Sequence, residues 1–149
     1  MGDVVVGVDG SPGSIEAARF ALEEASLRSL PLRLICCYQS PAAWLGMGEA
    51  LGSTVTATVS ESDLAGYATE TIDAVLAALA PTPDLTIIKE PVEGHAGAAL
   101  VNASATATLL VVGSRGHSDF TSALLGSTGM HCVHHAACPV VVIPAHKKK

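Results

Sequence analysis

Residues 112–128 read VGSRGHSDFTSALLGST and join an apolar run to a segment with helical character. The residues that mark this stretch are Gly113, Gly116, Gly126, Ser127 and Thr128. A glycine lets backbone amides approach an anion because no Cβ stands in the way, and a helix N-terminus offers free N–H groups with a partial positive charge. The order of strand, glycine loop and helix therefore predicts a phosphate cradle and a nucleotide-binding protein.

Apolar runs of strand length alternate with helical segments along the rest of the chain. We predict strands over residues 3–9, 32–38, 85–90, 108–112 and 140–143, and helices over residues 12–29, 60–80, 96–104 and 127–136. The first helix begins at Ser11-Pro12, an N-cap followed by proline at the first helical position. Residues 39–59 are rich in Gly, Ala, Pro and Ser and are predicted to form a long loop, with a partly helical segment as the alternative.

The predicted strands are continuously apolar, which is typical of a parallel sheet covered by helices on both faces. In such a doubly wound sheet, a ligand binds at the carboxyl ends of the strands where the strand order reverses. With right-handed crossovers and the order 3-2-1-4-5, the strands ending at Asp9 and Gly113 flank that reversal. We therefore expect one α/β domain with a five-stranded parallel sheet and a crevice between these two residues.

The composition is that of an ordered domain, because 49% of the 149 residues are apolar, which is enough for one core. Apolar runs such as residues 74–80 are far shorter than the ~20 residues that span a bilayer. The N-terminus shows no cleavage-site pattern and no myristoylation signal. We expect a cytoplasmic domain over residues 1–146 that makes no membrane contact.

The charge argues against a nucleic-acid partner. The chain has eight Lys and Arg residues and 14 Asp and Glu residues, and three of the basic residues are Lys147, Lys148 and Lys149. Too few bases remain elsewhere for the positive surface that nucleic-acid binding requires. We interpret residues 147–149 as a solvated basic tail, with an anion-binding appendage as the alternative.

Histidines and cysteines cluster near the C-terminus, but their spacing is not that of a metal site. The cluster consists of His131, Cys132, His134, His135 and Cys138. It contains no C-x2-C pair, and on a helix only the histidines at positions 131 and 135 share a face. Cys36 and Cys37 are adjacent in a predicted strand and are interpreted as small core residues. We predict no metal site and, in a reducing compartment, no disulfide.

The spacing G-x2-G-x9-G-(S/T), from Gly113 to Ser127, resembles the nucleotide motif of the universal stress protein family. The resemblance covers nearly the whole chain. Residues 6–11, 111–116 and 134–140 are similar to the opening strand, the fourth-strand signature and the closing segment of that family. The resemblance implies an adenine nucleotide alpha hydrolase-like fold, and it places the His and Cys residues of the closing segment in a pattern that binds no zinc.

The resemblance also implies which residues contact a nucleotide. They are Asp9, Gly10, Ser11, Cys37, Val112, Gly113, Ser114, Arg115, Gly116, Gly126, Ser127 and Thr128. Asp9 is expected against the adenosine, and backbone groups of Cys37 against the adenine. The glycines at 113 and 116 are expected around the ribose and phosphates, and residues 126–128 at phosphate oxygens. From the residues alone, Asp9 and Ser127 have a second interpretation as helix caps.

The predicted loop supplies little positive charge for phosphates. A Walker P-loop requires G-x4-G-K-(S/T), but the single lysine outside the tail is Lys89, and Arg115 is the single base in the loop. Most of the phosphate oxygens of ATP would therefore accept hydrogen bonds from backbone amides and hydroxyl groups. We expect Mg²⁺ or Mn²⁺ to be bound through the phosphates and to complete the neutralisation.

The loop also offers few groups for fast chemistry. Phosphoryl transfer needs a positioned nucleophile, strong charge stabilisation and usually a base, for which His117 and Asp119 are the candidates. With the family resemblance, this predicts an ATP-binding regulatory or sensor protein of a stress response, with at most slow ATP hydrolysis and no assigned catalytic residue. The alternative is a protein-interaction module that binds AMP, a cyclic nucleotide or no nucleotide.

The fifth strand indicates a protein partner. Its residues are Val140, Val141, Val142 and Ile143, and at a sheet edge they would leave unpaired backbone groups beside apolar side chains. The family resemblance likewise implies dimerisation through this strand. We predict a symmetric homodimer and an additional downstream protein partner whose identity the sequence does not specify.

Overall fold

The computed structural model describes residues 2–39, 61–115 and 125–144. The strands in these ranges are β1 (Val4–Gly7), β2 (Leu32–Tyr38), β3 (Ile87–Glu93), β4 (Leu109–Gly113) and β5 (Val140–Ile143). The helices are α1 (Pro12–Arg28), α2 (Glu61–Leu79), α3 (Ala96–Ser104) and α4 (Ser127–His135). The predicted alternation of strands and helices is confirmed. The predicted loop over residues 39–59 and the basic tail lie almost wholly outside the described residues.

The five strands form one parallel sheet in the order β3-β2-β1-β4-β5, as predicted. β1 is the central strand, so Val5 pairs with Arg33 of β2 on one side and with Leu110 of β4 on the other. The chain therefore leaves β1 toward one half of the sheet and returns to the other half through β4. Strand order reverses between these two strands.

β3 extends further than predicted, because the sequence interpretation ended this strand at Glu90, before Pro91. In the structure β3 stays in register with β2 as far as Glu93, which pairs with Tyr38. A proline lacks the N–H that an interior strand needs, but an edge strand tolerates it. β3 is an edge strand, so the proline does not end it.

The helices cover both faces of the sheet and produce two apolar cores. Val4 and Val6 belong to the core that contains α1 and α2, and Val5 belongs to the core that contains α3 and α4. Successive side chains of a strand point to opposite faces, so both sets are buried only because helices lie on both sides. This explains the continuous apolar runs in the sequence. In the part of the chain that is described, no helix is long and apolar enough to cross a membrane.

Candidate functional site

An open cleft lies at the carboxyl edge of the sheet, between the ends of β1 and β4. Residues of β2 and the first residues of α3 and α4 complete its walls. Its volume is about 690 Å³ when the open space at its mouth is included, so a ligand could extend from it into solvent. The cleft occupies the reversal point of the strand order, where ligands of doubly wound sheets bind.

The structure brings together most of the residues expected at a nucleotide. Those that line the cleft are Asp9, Cys37, Val112, Gly113, Ser114, Arg115, Gly126, Ser127 and Thr128. Gly10 and Ser11 lie beside the cleft and do not line it. Gly116, together with the candidate bases His117 and Asp119, lies outside the described residues.

The turn between β1 and α1 is closed by its own side chains. The Ser11 hydroxyl accepts a hydrogen bond from the Ser14 amide at 3.2 Å and is therefore the N-cap of α1. The Ser11 amide donates to Asp9 Oδ1 at 2.9 Å, and Gly10 takes a φ of 83° between them. Glycine adopts this left-handed conformation without strain. Ser11 is buried and serves the helix, whereas Asp9 is exposed and lines the cleft.

Asp9 supports the turn before α1 and also lines the cleft. One carboxylate oxygen accepts the Ser11 amide and tightens the turn before α1, but the helix cap itself is Ser11. The same side chain stands on the cleft wall. Its position is therefore compatible with a ligand contact as well as with support of the turn.

The N-terminus of α4 opens into the cleft without a side-chain cap. Its N-cap position is Gly126, and no side chain of the described residues makes a cap hydrogen bond there. The first turn of a helix carries N–H groups that have no partner within the helix and that attract anions. Ser127 and Thr128, the first residues of this turn, line the cleft. The arrangement can bind an anion such as a phosphate.

A short hydrogen bond fixes this helix end beside β4. The Gly126 amide donates to the carbonyl oxygen of Ser114 at 2.6 Å, and the Ser114 amide donates to Ile143 of β5 at 2.9 Å. The backbone at Ser114 is therefore joined directly to the first residue before α4 and to the end of β5. This places the first turn of α4 directly over the carboxyl end of the sheet.

The loop after β4 passes very close to the first turn of α1. A Cβ on Gly113 would lie 3.2 Å from the carbonyl oxygen of Gly13, and a Cβ on Gly13 would lie 3.1 Å from that of Arg115. Both distances are tighter than ordinary carbon–oxygen contacts, so glycines at both positions permit the approach. The motif pointed to Gly113, whereas the need for Gly13 follows only from the packing of the two segments.

Sequence reasoning missed several residues of the cleft. They are Gly7, Val8, Ser14, Ile35, Ala96, Leu100 and Gly129. Two of them could have been found from the sequence. Ile35 is two positions before Cys37 and lies on the same strand face, and Ala96 begins a helix that was predicted correctly. The others depend on how α1, α3 and α4 approach the sheet.

One side of the cleft is apolar. Ile35, Leu100 and Val112 contribute buried aliphatic surface, and Cys37 lies half-buried beside them. Burial raises the pKa of the Cys37 thiol to about 11, and the neighbouring Cys36 adds to the shift. The thiol is therefore protonated at neutral pH and presents a small neutral surface to the cleft.

Positive charge near the cleft comes from Arg115, which is the one Lys or Arg among its described lining residues. Arg33 and Lys89 form ion pairs with carboxylates outside the cleft. Arg33 donates to Asp3 at 2.7 Å and to Glu90 at 2.6 Å, and these two hydrogen bonds raise the pKa of its guanidinium. Lys89 pairs with Asp73 at 2.6 Å.

The histidines and cysteines near the C-terminus are divided between the core and the surface of the molecule. Cys132 is fully buried in α4, whereas His131, His134 and His135 are exposed on it. In residues 2–39, 61–115 and 125–144, no group of three or more His, Cys, Asp or Glu side chains is arranged to hold a metal ion. The four cysteines of the chain are free thiols.

The strand order, the helices on both faces and the cleft at the reversal point are those of a doubly wound α/β protein with the adenine nucleotide alpha hydrolase-like fold. The model of the universal stress protein family matches residues 1–144. The chain belongs to the universal stress protein family, as its glycine motif indicated.

Curated relatives in mycobacteria are similar over nearly the whole chain. A universal stress protein of Mycolicibacterium smegmatis is 33% identical over 141 residues, which are 94% of this chain and 47% of that protein. One from Mycobacterium tuberculosis is 32% identical over 148 residues, covering 96% of this chain and 48% of the relative. The chain thus spans about half the length of the curated relatives it matches.

Two solved structures share the fold over nearly their full length. The universal stress protein UspA from Lactobacillus plantarum superposes with a TM-score of 0.74 at 21% identity, covering 95% of this chain and 97% of the other. A universal stress protein solved in complex with cAMP superposes with a TM-score of 0.60 at 25% identity and covers 96% of each chain.

Proposed function

We propose that this chain is an ATP-binding regulatory protein that acts as a nucleotide-dependent sensor in a stress response of the cytoplasm. The observation that carries the proposal is the N-terminus of α4, which has glycine at its cap position and opens into the cleft at the reversal point. Family membership adds the stress-response context.

The cleft offers distinct surroundings for the two ends of the nucleotide. The adenine lies on the apolar side, against Ile35, Leu100 and the backbone near Cys37, and Asp9 contacts the ribose side of the adenosine. The phosphates lie at the first turn of α4, where amides and the hydroxyls of Ser127 and Thr128 donate hydrogen bonds. Gly113 and Gly116 allow the backbone to approach the ligand closely.

The charge of the phosphates calls for a cation in addition to the protein. Arg115 supplies one positive charge to the described lining, and ATP carries about four negative charges at neutral pH. Helix amides contribute only partial charges. Mg²⁺ or Mn²⁺ bound through the phosphates supplies the remaining neutralisation and enters with the nucleotide.

Hydrolysis of ATP by this cleft is expected to be slow. Phosphoryl transfer needs a base or a precisely held nucleophile, and the Cys37 thiol stays protonated because burial raises its pKa to about 11. Asp9 already accepts a hydrogen bond from the Ser11 amide. Binding then serves a population shift, in which ATP orders the surface around the cleft and a partner protein reads the change.

A second candidate ligand is AMP or a cyclic nucleotide, bound by a protein-interaction module. A relative of the same fold at 25% identity was solved in complex with cAMP. A single cation in the described lining also suits a ligand with one or two negative charges better than a free triphosphate. In this case the cleft needs no accompanying metal ion.

Both candidates are separated by purifying the chain without added nucleotide and identifying any released ligand by mass spectrometry. ATP as the main copurified ligand, with calorimetric affinity that rises on adding Mg²⁺, supports the first proposal. AMP or a cyclic nucleotide, with affinity independent of Mg²⁺, supports the second. Absence of a thermal shift with all of these nucleotides would refute nucleotide binding, and many ATP turnovers per minute would refute a purely regulatory role.

We further propose that the protein is a homodimer that pairs through β5. The opposite edge strand, β3, carries Pro91 and the charged Lys89 and Glu90, which discourage edge pairing, whereas β5 consists of four half-buried aliphatic residues. Pro139 and Ile143 accept hydrogen bonds from β4, so the backbone groups of Val140 and Val142 point to the free edge.

Replacement of Val142 by proline tests this interface. The change removes one N–H from the free edge and leaves the bonds to β4 in place, so a dimer that uses this strand becomes a monomer in light scattering at micromolar concentration. Val142→Thr keeps the N–H and is the matched control, which remains dimeric. A wild-type chain that is monomeric at this concentration would refute the proposal.

A further inference from the structure

Two histidines form a close pair on the exposed side of α4, outside the nucleotide cleft. His131 and His135 are one helical turn apart, their ring centroids are separated by 4.7 Å, and the ring planes are inclined by 47°. Both side chains are exposed to solvent, and neither lines the cleft. The pair thus plays no part in the nucleotide contacts proposed above.

The separation of the rings is that of two ligands of one metal ion. A metal bonded at about 2.1 Å to one nitrogen of each ring lies roughly 3.2 Å from each centroid, so ligand angles of about 90–110° place the centroids about 4.5–5.2 Å apart. The observed 4.7 Å falls inside this interval. The neighbouring pair His134 and His135, at 6.2 Å, falls outside it.

One ring of the pair is already positioned by packing. His131 lies against α3 at Gly97, where an added Cβ would come within 3.0 Å of its Cδ2 and 3.1 Å of its Cγ. The glycine leaves the space that the imidazole occupies. Because the ring rests on a neighbouring helix, less side-chain freedom remains to be lost when a metal binds.

We propose that His131 and His135 form a bidentate site for a divalent transition-metal ion of the Ni²⁺, Cu²⁺ and Zn²⁺ class. Neutral imidazole is a preferred ligand of these ions, and water molecules complete the coordination shell. The site differs from the four-ligand structural zinc site that the sequence spacing argues against. It also differs from a phosphate-bound Mg²⁺ or Mn²⁺, since those ions prefer oxygen ligands.

A bound ion would link two successive turns of α4 and stabilise this helix. The effect does not depend on the nucleotide, so it is measured on the full chain without ATP. The Cys132 thiol in the same helix does not compete, because its side chain is fully buried in the core between the sheet and α3, away from the exposed histidine rings.

The test is a calorimetric titration of the untagged chain with Ni²⁺ at pH 7.5, together with thermal unfolding. Wild type is expected to bind one Ni²⁺ per chain and to unfold at a higher temperature with the ion. His131→Ala and His135→Ala are expected to bind at least about tenfold more weakly, since loss of a direct ligand costs no less than loss of its supporting contacts.

His134→Ala is the matched control, because this histidine is exposed on the same helix and lies outside the pair. It is expected to keep the Ni²⁺ affinity and the thermal shift of the wild type. His135→Gln retains a polar side chain of similar size and guards against a folding defect of the alanine variant. Equal affinity in all variants, or an equal loss in His134→Ala, would overturn the proposal.

Discussion

Two helix N-termini lie at the same edge of the sheet, and they differ in their cap residues. At α1, the Ser11 hydroxyl caps the Ser14 amide and Asp9 accepts the amide of Ser11. At α4, the cap position is Gly126, and the structure shows no side chain of its described part in that role. Each helix follows a neighbouring strand of the sheet, β1 in one case and β4 in the other.

The contrast shows that one fold can close one helix end with a serine side chain and place another at a cleft with glycine as its cap residue. Amides bound to a local side chain stabilise their own helix and are not available to a ligand. Amides that face a cleft without a cap keep their affinity for an anion. The serine at α1 thus closes one helix end, and the glycine at α4 leaves its cap position without a side chain at the cleft.

The largest effect is expected when Gly126, the cap residue of α4, receives a side chain that can act as a cap. In Gly126→Asp, a carboxylate competes for the first-turn amides and repels the phosphates. The affinity for ATP should fall about 100-fold or more, since hydrogen bonds to charged groups contribute about 1.5–3 kcal/mol each. Gly126→Asn is the uncharged counterpart and should lose less. Calorimetry with Mg²⁺ and ATP measures the affinity of each variant. Unchanged affinity in Gly126→Asp would contradict a role of the α4 N-terminus in binding phosphate.

A smaller loss of affinity is expected when the side-chain charge beside the open end is removed. Arg115→Ala should weaken ATP binding about tenfold, because one charge-assisted hydrogen bond is lost, and the loss should shrink at high salt. The free energy of unfolding without ligand should stay nearly constant. Arg28→Ala, a change of an exposed arginine far from the cleft, is the control. An equal loss of ATP affinity in both variants would argue against a specific role of Arg115.

Removal of the cap at α1 should affect stability and leave binding unchanged. Ser11→Ala is expected to lower the free energy of unfolding by about 1 kcal/mol, the usual contribution of an N-cap, as measured by urea denaturation. Its affinity for ATP should stay within about twofold of the wild type. Ser26→Ala, in the exposed last turn of the same helix, is the matched control. A large loss of ATP affinity in Ser11→Ala would mean that the capped end also binds the nucleotide.

The smallest change in stability at neutral pH is expected from the two thiols whose pKa is raised by burial, Cys37 beside the cleft and Cys132 within α4. The pKa values of Cys37 and Cys132 are raised from 9.0 to about 11 by burial. Their contribution to stability is therefore fully present below pH 9 and is lost as the pH rises through about 11. The free energy of unfolding should fall between pH 9 and 11, and this fall should be shallower in Cys37→Ala. Identical pH profiles would show that the thiol is not desolvated.

Much of the fold could be predicted because its signals are local. Continuous apolar runs indicated buried parallel strands, and Ser11-Pro12 marked the start of α1 where the structure places it. The end of β3 could not be predicted, because a proline stops an interior strand but not an edge strand, and edge position depends on the whole sheet.

The candidate site was predicted to a similar degree. The glycine motif led to Gly113 and Gly126, which both line the cleft. Ser11 caps α1 as its place before Pro12 predicted, and its expected nucleotide contact stays a prediction, because Ser11 lies beside the cleft and does not line it. Leu100 and Gly129 line the cleft through the packing of α3 and α4, for which the sequence carries no local signal.

The sequence by itself determined the alternation of strands and helices, the family and the position of the glycine loop at the reversal of strand order. These features depend on residue periodicity and on conformational preferences that act between near neighbours. Only the tertiary structure decided how Gly13 meets Gly113, that the Gly126 amide bonds to Ser114, and that the ring of His131 lies against Gly97. These are contacts and orientations set by packing, and packing joins segments that are distant in the chain.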